Sequence, residues 1–309
     1  MIVRPSVPHL VLAALLVGAA TARGALAPVS ALDLFEPLRS AAIGGAGVAI
    51  GNDPALAPVN PAAAARVAAP SLTLGGQSGL FRDLLGHGNV AVPSDRGTWF
   101  AGFVYYESPS VQLRAPDDSV RTVLLQQDLL VAGGYARAIS PGLSWGVTAK
   151  VMRSHLFEEF VAQAGAVDLG LQARLTDTLK AGVAVRNLGP SFRYAEDALQ
   201  PRAEAHAGVA SGWRVRQGGQ DSPGDTLIIA ADFAWNLHAG YGEVRAGAEY
   251  RWLGLLAFRV GSSIGGVPGE LARLAAGLGF SNGPYRLDYS IRFSTGFTMP
   301  QALAITLAF

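Results

Sequence analysis

Most of the chain alternates between apolar and polar residues, and helical periodicity is almost absent. Residues 285–294 show the pattern best, because their apolar side chains fall on one face: Leu287, Tyr289, Ile291 and Phe293. Their polar side chains fall on the other face: Arg286, Asp288, Ser290 and Arg292. A helix cannot separate the two sets in this way, whereas a strand does. Residues 167–175, 179–186, 227–236, 244–252 and 302–309 also alternate.

Turn-forming residues separate these runs and set the number of strands. Gly, Pro, Asn and Asp cluster at residues 140–142, 187–190, 265–269 and 281–284, for example. Counting the runs predicts about fourteen strands, most of them near the roughly 9–11 residues with which a tilted strand crosses a bilayer. Three connections are longer, at residues 107–122, 189–200 and 217–225. We expect all three on the outside of the cell.

The composition favours a membrane barrel over a soluble protein. Half of the 309 residues are hydrophobic, only 15% are charged, and the mean hydropathy is +0.28. Soluble domains carry about 25% charged residues. Beyond the N-terminus no apolar stretch reaches the roughly 18 residues of a transmembrane helix. The predicted fold is therefore all-β, a transmembrane antiparallel β-barrel of about 14 strands at residues 70–309.

A soluble β-sandwich is the alternative, because its strands also alternate. Strand length and the low overall charge favour the barrel. Aromatic residues near the ends of several runs do so too, since membrane barrels carry aromatic girdles at both interfaces. Examples are Trp99, Trp145 and Trp252.

The N-terminus reads as a secretory signal peptide over residues 1–27. Arg4 precedes an apolar run at residues 10–20, and small residues follow up to Ala27. This is the three-part plan of an export signal. Cleavage after Ala27 is disfavoured by Pro28, and the sequence leaves Ala22 and Ala31 open as alternatives. We expect the protein to be exported to the cell outer membrane.

Residues 28–69 differ in character from the strands that follow. They contain glycines that permit close backbone approach and two Pro-containing turns with cap residues. The residues that carry these features are Arg39, Gly44, Gly45, Asp53, Pro54, Asn60 and Pro61.

The order of these residues resembles the N-terminal segment of the PorV/PorQ family, within the FadL-like superfamily. A second similarity is the strand end Asn187-Leu188-Gly189. Two positions depart from the family pattern, namely Val59 and the pair Arg39-Ser40. The resemblance implies a plug, or hatch, folded into the mouth of a 14-stranded barrel. We expect the individual plug side chains to fix its fold without performing chemistry.

The last strand supports the outer-membrane assignment independently. Residues 302–309 alternate and end on Phe309. This resembles the C-terminal strand of outer-membrane barrel proteins, whose final aromatic residue is read by the barrel-assembly machinery.

The sequence offers no catalytic, cofactor-binding or metal site, and we expect no enzyme. Cysteine is absent, which excludes thiolate chemistry, and the five histidines are scattered. Two Gly-x-Ser-x-Gly matches, around Ser144 and Ser263, lack the strand-to-helix turn of a nucleophile elbow. A net charge of +1 gives no electrostatic case for nucleic acid.

Charged residues within the strands should face the lumen, because Arg or Lys at the lipid-facing midplane costs about 2–4 kcal/mol. The predicted set is Lys150, Asp168, Arg174, Lys180, Arg186, Asp232, Arg245, Glu249, Arg251, Asp288 and Arg292. Two roles stay open for these charges: ion pairs that hold the lumen closed around the plug, or a polar path for a solute.

Three functions follow from the resemblance. The PorV/PorQ motif favours a non-enzymatic role in type IX-like protein secretion or outer-membrane assembly, with secretion-system proteins as partners. The alternative is a FadL-like transporter with a hydrophobic ligand, which needs an apolar lumenal pocket. The charged and small residues on the inner face speak against that pocket. A scaffold without flux is the third reading, and outer-membrane lipid surrounds the barrel in all three.

Overall fold

The computed structural model describes residues 30–78, 83–114, 118–157, 159–194, 197–217, 224–266, 272–293 and 299–309. The predicted signal peptide lies outside these residues. Two short helices, α1 (Ala31–Leu34) and α2 (Leu38–Ala42), precede the strands, followed by 3₁₀ turns at Pro54–Leu56 and Pro61–Ala64. No helix among the residues described is long and apolar enough to cross a membrane.

Fourteen strands form a closed antiparallel barrel, which confirms the predicted fold class. The barrel strands are β1 (Ser71–Ser78), β2 (Leu84–Ser94), β3 (Gly97–Glu107), β6 (Gln126–Ser140), β7 (Leu143–Leu156), β8 (Phe160–Arg174), β9 (Leu179–Leu188), β12 (Glu204–Arg216), β13 (Asp225–Asn236), β14 (Gly242–Trp252), β15 (Leu256–Gly265), β16 (Arg273–Asn282), β17 (Tyr285–Phe293) and β18 (Gln301–Ala308). Two hairpins stand apart from the barrel sheet, β4 (Ser110–Arg114) with β5 (Val120–Leu124), and β10 (Phe192–Tyr194) with β11 (Asp197–Leu199).

The first and last strands close the barrel. Ser71 pairs with Ala308 and Ser78 pairs with Gln301, so no barrel edge is left unpaired. We call the end of the barrel that carries Ser71 and Ala308 the terminal end, and the other the opposite end. At the terminal end the Phe309 amide donates to the Pro70 carbonyl at 2.9 Å.

The two faces of each strand differ as the alternation predicts. In β18, Leu303 and Ile305 are 49% and 55% exposed, whereas Ala302 and Ala304 are buried. The outer surface therefore carries large apolar side chains, as lipid requires.

The three long connections do not share one end of the barrel. Successive strands run in opposite directions, so successive connections alternate between the ends. The connections that hold β4–β5 and β10–β11 lie at the opposite end. The third joins β12 to β13, and its flanking residues Arg216 and Asp225 pair at the terminal end. Placing residues 217–225 with the other two was therefore wrong.

The N-terminal segment lies inside the barrel. Helix α2 contacts β15 to β18, and the turn Pro61–Ala64 contacts β6 to β8 on the other side of the wall. Residues that touch both sides of a closed barrel must occupy its lumen. We call residues 30–69 the plug.

Single cysteines can test the outer face directly, because the chain contains none. Cysteines at Leu287 and Phe293, whose side chains are exposed on the barrel, are expected to resist a water-soluble maleimide in liposomes. A cysteine at Gly240, in the turn between β13 and β14, serves as the accessible control. Rapid labelling at Leu287 and Phe293 would contradict a lipid-facing apolar side.

Candidate functional site

A ring of ion pairs fixes the plug to the barrel near the terminal end. Arg39 of α2 is bound by the Glu249 carboxylate at 2.7 and 2.9 Å and by Asp53 of the plug at 3.0 Å. Glu249 accepts from Arg259 Nε at 2.7 Å, and Arg259 Nη1 donates to Asp288 at 2.7 Å.

Arg286 closes the ring. Its guanidinium lies 2.8 Å from Asp288 and 3.1 Å from Asp53. Three arginines thus alternate with three carboxylates, and the formal charges cancel. Five of the six side chains are less than a tenth exposed. Buried charges of this kind are tolerated only when they are paired.

Asp53 and Asn60 also shape the plug itself. Each caps a 3₁₀ turn that begins with proline, Asp53 accepting from the Ala55 amide and Asn60 from the Ala62 amide. Burial alone would raise the pKa of Asp53. Arg286 and Arg39 outweigh that effect and hold its pKa well below the usual value of 3.8.

Lumen-facing glycines allow the plug backbone to approach the wall. A β-carbon at any of them would lie closer than 3.0 Å to a plug atom: Gly146, Gly170, Gly182, Gly247, Gly261 and Gly277. Glycine is the residue that permits so close an approach. Within the plug, Gly44 and Gly45 adopt positive φ angles of 72° and 85°, which turn the chain after α2.

Wall side chains bind the plug backbone further along the lumen. Asp232 accepts from the amides of Gly47 and Val48 at 2.6 and 2.8 Å. Asp128 accepts from the Ala31 amide at 2.8 Å. Asn187, the residue of the strand-end similarity, donates to the Leu32 carbonyl at 3.3 Å and accepts from Lys150 at 2.8 Å.

Two of the cavities between the plug and the barrel wall differ in their chemistry. The first, which we call the apolar pocket, has a volume of about 900 Å³ including open solvent and lies mainly against β1, β2, β3, β6 and β7, with Arg186, Arg286, Asp288 and Ala304 also in its lining. Its wall includes Leu32 and Phe35 of the plug and Phe100, Val104 and Leu130 of the barrel. The hairpin β10–β11 packs on the same apolar cluster through Phe192 and Tyr194.

The second cavity, of about 840 Å³ including open solvent, is lined by charged residues. Its acidic lining residues are Asp33, Glu36, Glu204 and Glu243, and its basic ones are Arg186, Arg202, Arg245, Arg273 and Arg292. Most of these groups pair with each other, as Arg245 does with Glu243 at 2.7 Å and Arg292 with Glu36 at 3.1 Å.

The structure places the eleven predicted lumen charges unequally. Five are buried: Lys150, Asp168, Asp232, Glu249 and Asp288. Five are partly exposed: Lys180, Arg186, Arg245, Arg251 and Arg292. Arg174 is exposed at the end of β8, where its guanidinium donates to the Pro141 carbonyl at 2.5 Å.

Sequence reasoning missed several residues of the site. Arg259 belongs to the ion-pair ring, and the alternation of β15 would have placed it on the inner face with Ala257 and Gly261. His87 and Asn89 line the apolar pocket from β2. Their spacing of two also puts them on one face.

No protein-family model and no curated protein sequence matches this chain. Solved structures do share its fold. The toluene transporter TodX of Pseudomonas putida aligns at a TM-score of 0.66 and 12% identity, over 90% of this chain and 99% of that one. The monoaromatic hydrocarbon channel CymD gives 0.58 and 11%, over 88% of this chain and 97% of that one. A Pseudomonas aeruginosa FadL homologue gives 0.54 and 13%, over 88% and 98%.

These similarities show that the chain shares the barrel fold of TodX, CymD and the FadL homologue. They support the expected resemblance to FadL-like proteins at the level of the fold. The narrower resemblance to PorV/PorQ, and the secretion role inferred from it, find no support among these structures.

Proposed function

We propose that this protein is an outer-membrane channel that admits small hydrophobic molecules. The observation that carries the proposal is the apolar pocket, enclosed between the plug and the wall formed by β1, β2, β3, β6 and β7. Ligand pockets are typically concave and lined mostly by apolar side chains. The similar structures TodX and CymD are described as a toluene transporter and a monoaromatic hydrocarbon channel.

The charges in the lumen are compatible with this function. The sequence made them an argument against an apolar interior. In the structure the ring charges pair with one another around the plug near the terminal end, and most charges that line the second cavity also pair with each other. The charged residues that line the apolar pocket are ion-paired as well: Arg39, Lys150, Arg186, Arg286 and Asp288. Phe100 and Val104 of β3 and Leu130 of β6 line the apolar pocket, where they can contact an apolar solute. In this proposal the buried charges hold the plug and do not form a polar path.

The proposal includes the organisation of the chain. Residues 1–27 would direct export, residues 28–69 would form the plug, and residues 70–309 would form the barrel. Phe309 would serve as the assembly signal. The plug side chains would then act by holding a fixed fold inside the lumen.

Filling the pocket should block uptake. Ala132 lines the pocket, whereas its neighbour Val131 is 53% exposed on the outer face. Host cells with an intact outer membrane that express the protein are expected to take up radiolabelled toluene faster than cells without it. Ala132→Phe should remove most of that gain, because the added ring occupies solute space.

Val131→Phe is the matched control, since the same ring then points into lipid. It should leave uptake at the wild-type rate. Equal uptake with and without the wild-type protein would overturn the proposed function, provided that the protein shows a heat-modifiable folded band.

A further inference from the structure

The apolar pocket contains neutral polar atoms that the protein does not satisfy. His87 Nε2, Asn89 Oδ1 and Thr148 Oγ1 are buried without a hydrogen-bond partner among the described residues. All three residues line the pocket. The side chains of His87 and Thr148 are more than nine-tenths buried, at 6% and 4% exposed. An unpaired buried polar group costs free energy, so a ligand that pairs with it gains affinity.

The other polar residues of the pocket have partners. The Thr73 hydroxyl is 2.9 Å from that of Thr306. Lys150 lies 2.6 Å from Asp168, and Arg186 faces Glu204 at 4.0 Å. Arg39 and Arg286 belong to the ion-pair ring. The Nε atoms of Arg186 and Arg286 lack a hydrogen-bond partner among the described residues, but both guanidinium groups are ion-paired, Arg186 with Glu204 and Arg286 with Asp53 and Asp288. The unpaired atoms of the pocket that belong to no ion pair are therefore the neutral ones of His87, Asn89 and Thr148.

The unpaired atom of Asn89 requires a donor. The Asn89 amide nitrogen donates to the Pro54 carbonyl at 3.4 Å, which directs the side-chain oxygen Oδ1 away as an acceptor. A carboxylate ligand would be repelled there, and a hydrocarbon could not donate. A hydroxyl group can donate to Oδ1 and also bond the neighbouring imidazole, because a neutral histidine nitrogen either donates or accepts.

The imidazole is held in place for such a contact. Its ring lies 4.7 Å from that of Phe35 of the plug, and His87 and Asn89 lie two residues apart on β2 with both side chains in the pocket. Phe35, Phe100 and Leu130 line the same space and suit the hydrocarbon part of a ligand.

We infer that the pocket selects uncharged hydrophobic molecules that carry a hydroxyl group, such as alkylphenols or alcohols, over plain hydrocarbons. The hydroxyl binds at Asn89 and His87. This inference rests on the proposed function and names the solute class that the same pocket prefers.

Three probes of nearly equal shape test it: para-cresol, toluene and para-methylanisole, of which only para-cresol can donate a hydrogen bond. Binding is measured on the purified, detergent-folded full chain by ligand-detected NMR. The detergent concentration is the same in every sample, so each probe partitions into micelles to the same extent with the wild type and with every variant. We expect para-cresol to bind at least about tenfold more tightly than toluene. Para-methylanisole should bind no better than toluene, because it offers no donor to Asn89.

Variants locate the preference. Asn89→Leu and His87→Phe should each bring the ratio of the para-cresol affinity to the toluene affinity close to one. His155→Phe is the matched control, since His155 lies outside the pocket lining. It should keep the wild-type ratio.

The outcomes separate the two proposals. If toluene binds and para-cresol binds no better, or if the variants keep the wild-type ratio, the hydroxyl preference is overturned and the hydrophobic channel stands. If none of the three probes binds to the folded protein, the proposed function itself fails. Should a variant lack the heat-modifiable folded band, the three-probe comparison on the wild-type protein still decides.

Discussion

Replacing Gly261 with valine is expected to displace the plug while the barrel stays closed. Gly261 faces α2 and the turn after it, and a β-carbon there would lie 2.5 Å from the Ile43 carbonyl oxygen. The neighbouring atoms belong to the backbone, so they cannot move away by changing a rotamer. Overpacking a core ordinarily lowers the free energy of unfolding by about 1–3 kcal/mol. We expect a clash with backbone atoms to cost an amount at or above the upper end of that range.

The displacement can be measured by hydrogen–deuterium exchange of residues 30–69. In Gly261→Val the plug amides should exchange much faster than in the wild type, whereas the strand amides stay protected. Gly133→Val is the matched control, because a β-carbon at Gly133 meets no atom within 4 Å. Slow exchange of the plug in Gly261→Val would show that contact with β15 does not hold it.

Strand positions were predictable because the two faces of each strand have different surroundings. Side chains that face lipid are apolar and those that face the plug are small or polar, so neighbouring residues of a strand alternate. The bounds predicted from this alternation for β17, β13 and β14 lie within two residues of the observed bounds. The same rule would have identified Arg259, which was missed because no run was drawn over β15.

The position of residues 217–225 could not be inferred in the same way. The end on which a connection lies depends on whether an even or odd number of strands precedes it. An approximate strand count cannot supply that parity, whereas the pairing of Arg216 with Asp225 does.

The apolar pocket was not predictable either, because it depends on which strands the plug leaves uncovered. The charges on β14, β15 and β17 converge on Arg39 and Asp53 of the plug. Inner residues of β2, β3 and β6 face the free volume. A list of inward-facing residues does not show which charges are paired with the plug and which residues border free space, so the list argued against hydrophobic transport.

Replacing Arg39 with methionine should loosen the plug by a different route, through charge. Arg39 is the cation that joins Asp53 of the plug to Glu249 of the barrel, at 3.0 and 2.7 Å. Its loss leaves a net negative charge in a buried ring, and removing one partner of a buried pair costs about 3–5 kcal/mol. We expect residues 30–69 to exchange faster and to become sensitive to protease. Arg251→Met is the control: Arg251 also pairs with Glu249, but it is 35% exposed and touches no plug carboxylate, so its loss should cost at most about 1 kcal/mol.

The pH response distinguishes loss of charge balance from loss of packing. In the wild type the depressed pKa of Asp53 means that its stabilising contribution is complete above its usual value of 3.8 and is lost only as the pH falls below it. In Arg39→Met the ring carries an excess carboxylate, so binding a proton there relieves the imbalance. Acidification toward pH 3.8 should therefore raise the protection factors of the plug amides in Arg39→Met, after correction for the intrinsic pH dependence of amide exchange, and leave those of the wild type unchanged over the same range. The double variant Arg39→Met/Glu249→Gln removes the excess charge by substitution, and it should recover part of the protection at neutral pH. If acid and the second substitution both fail to restore protection, Arg39 holds the plug by its packing and not by its charge.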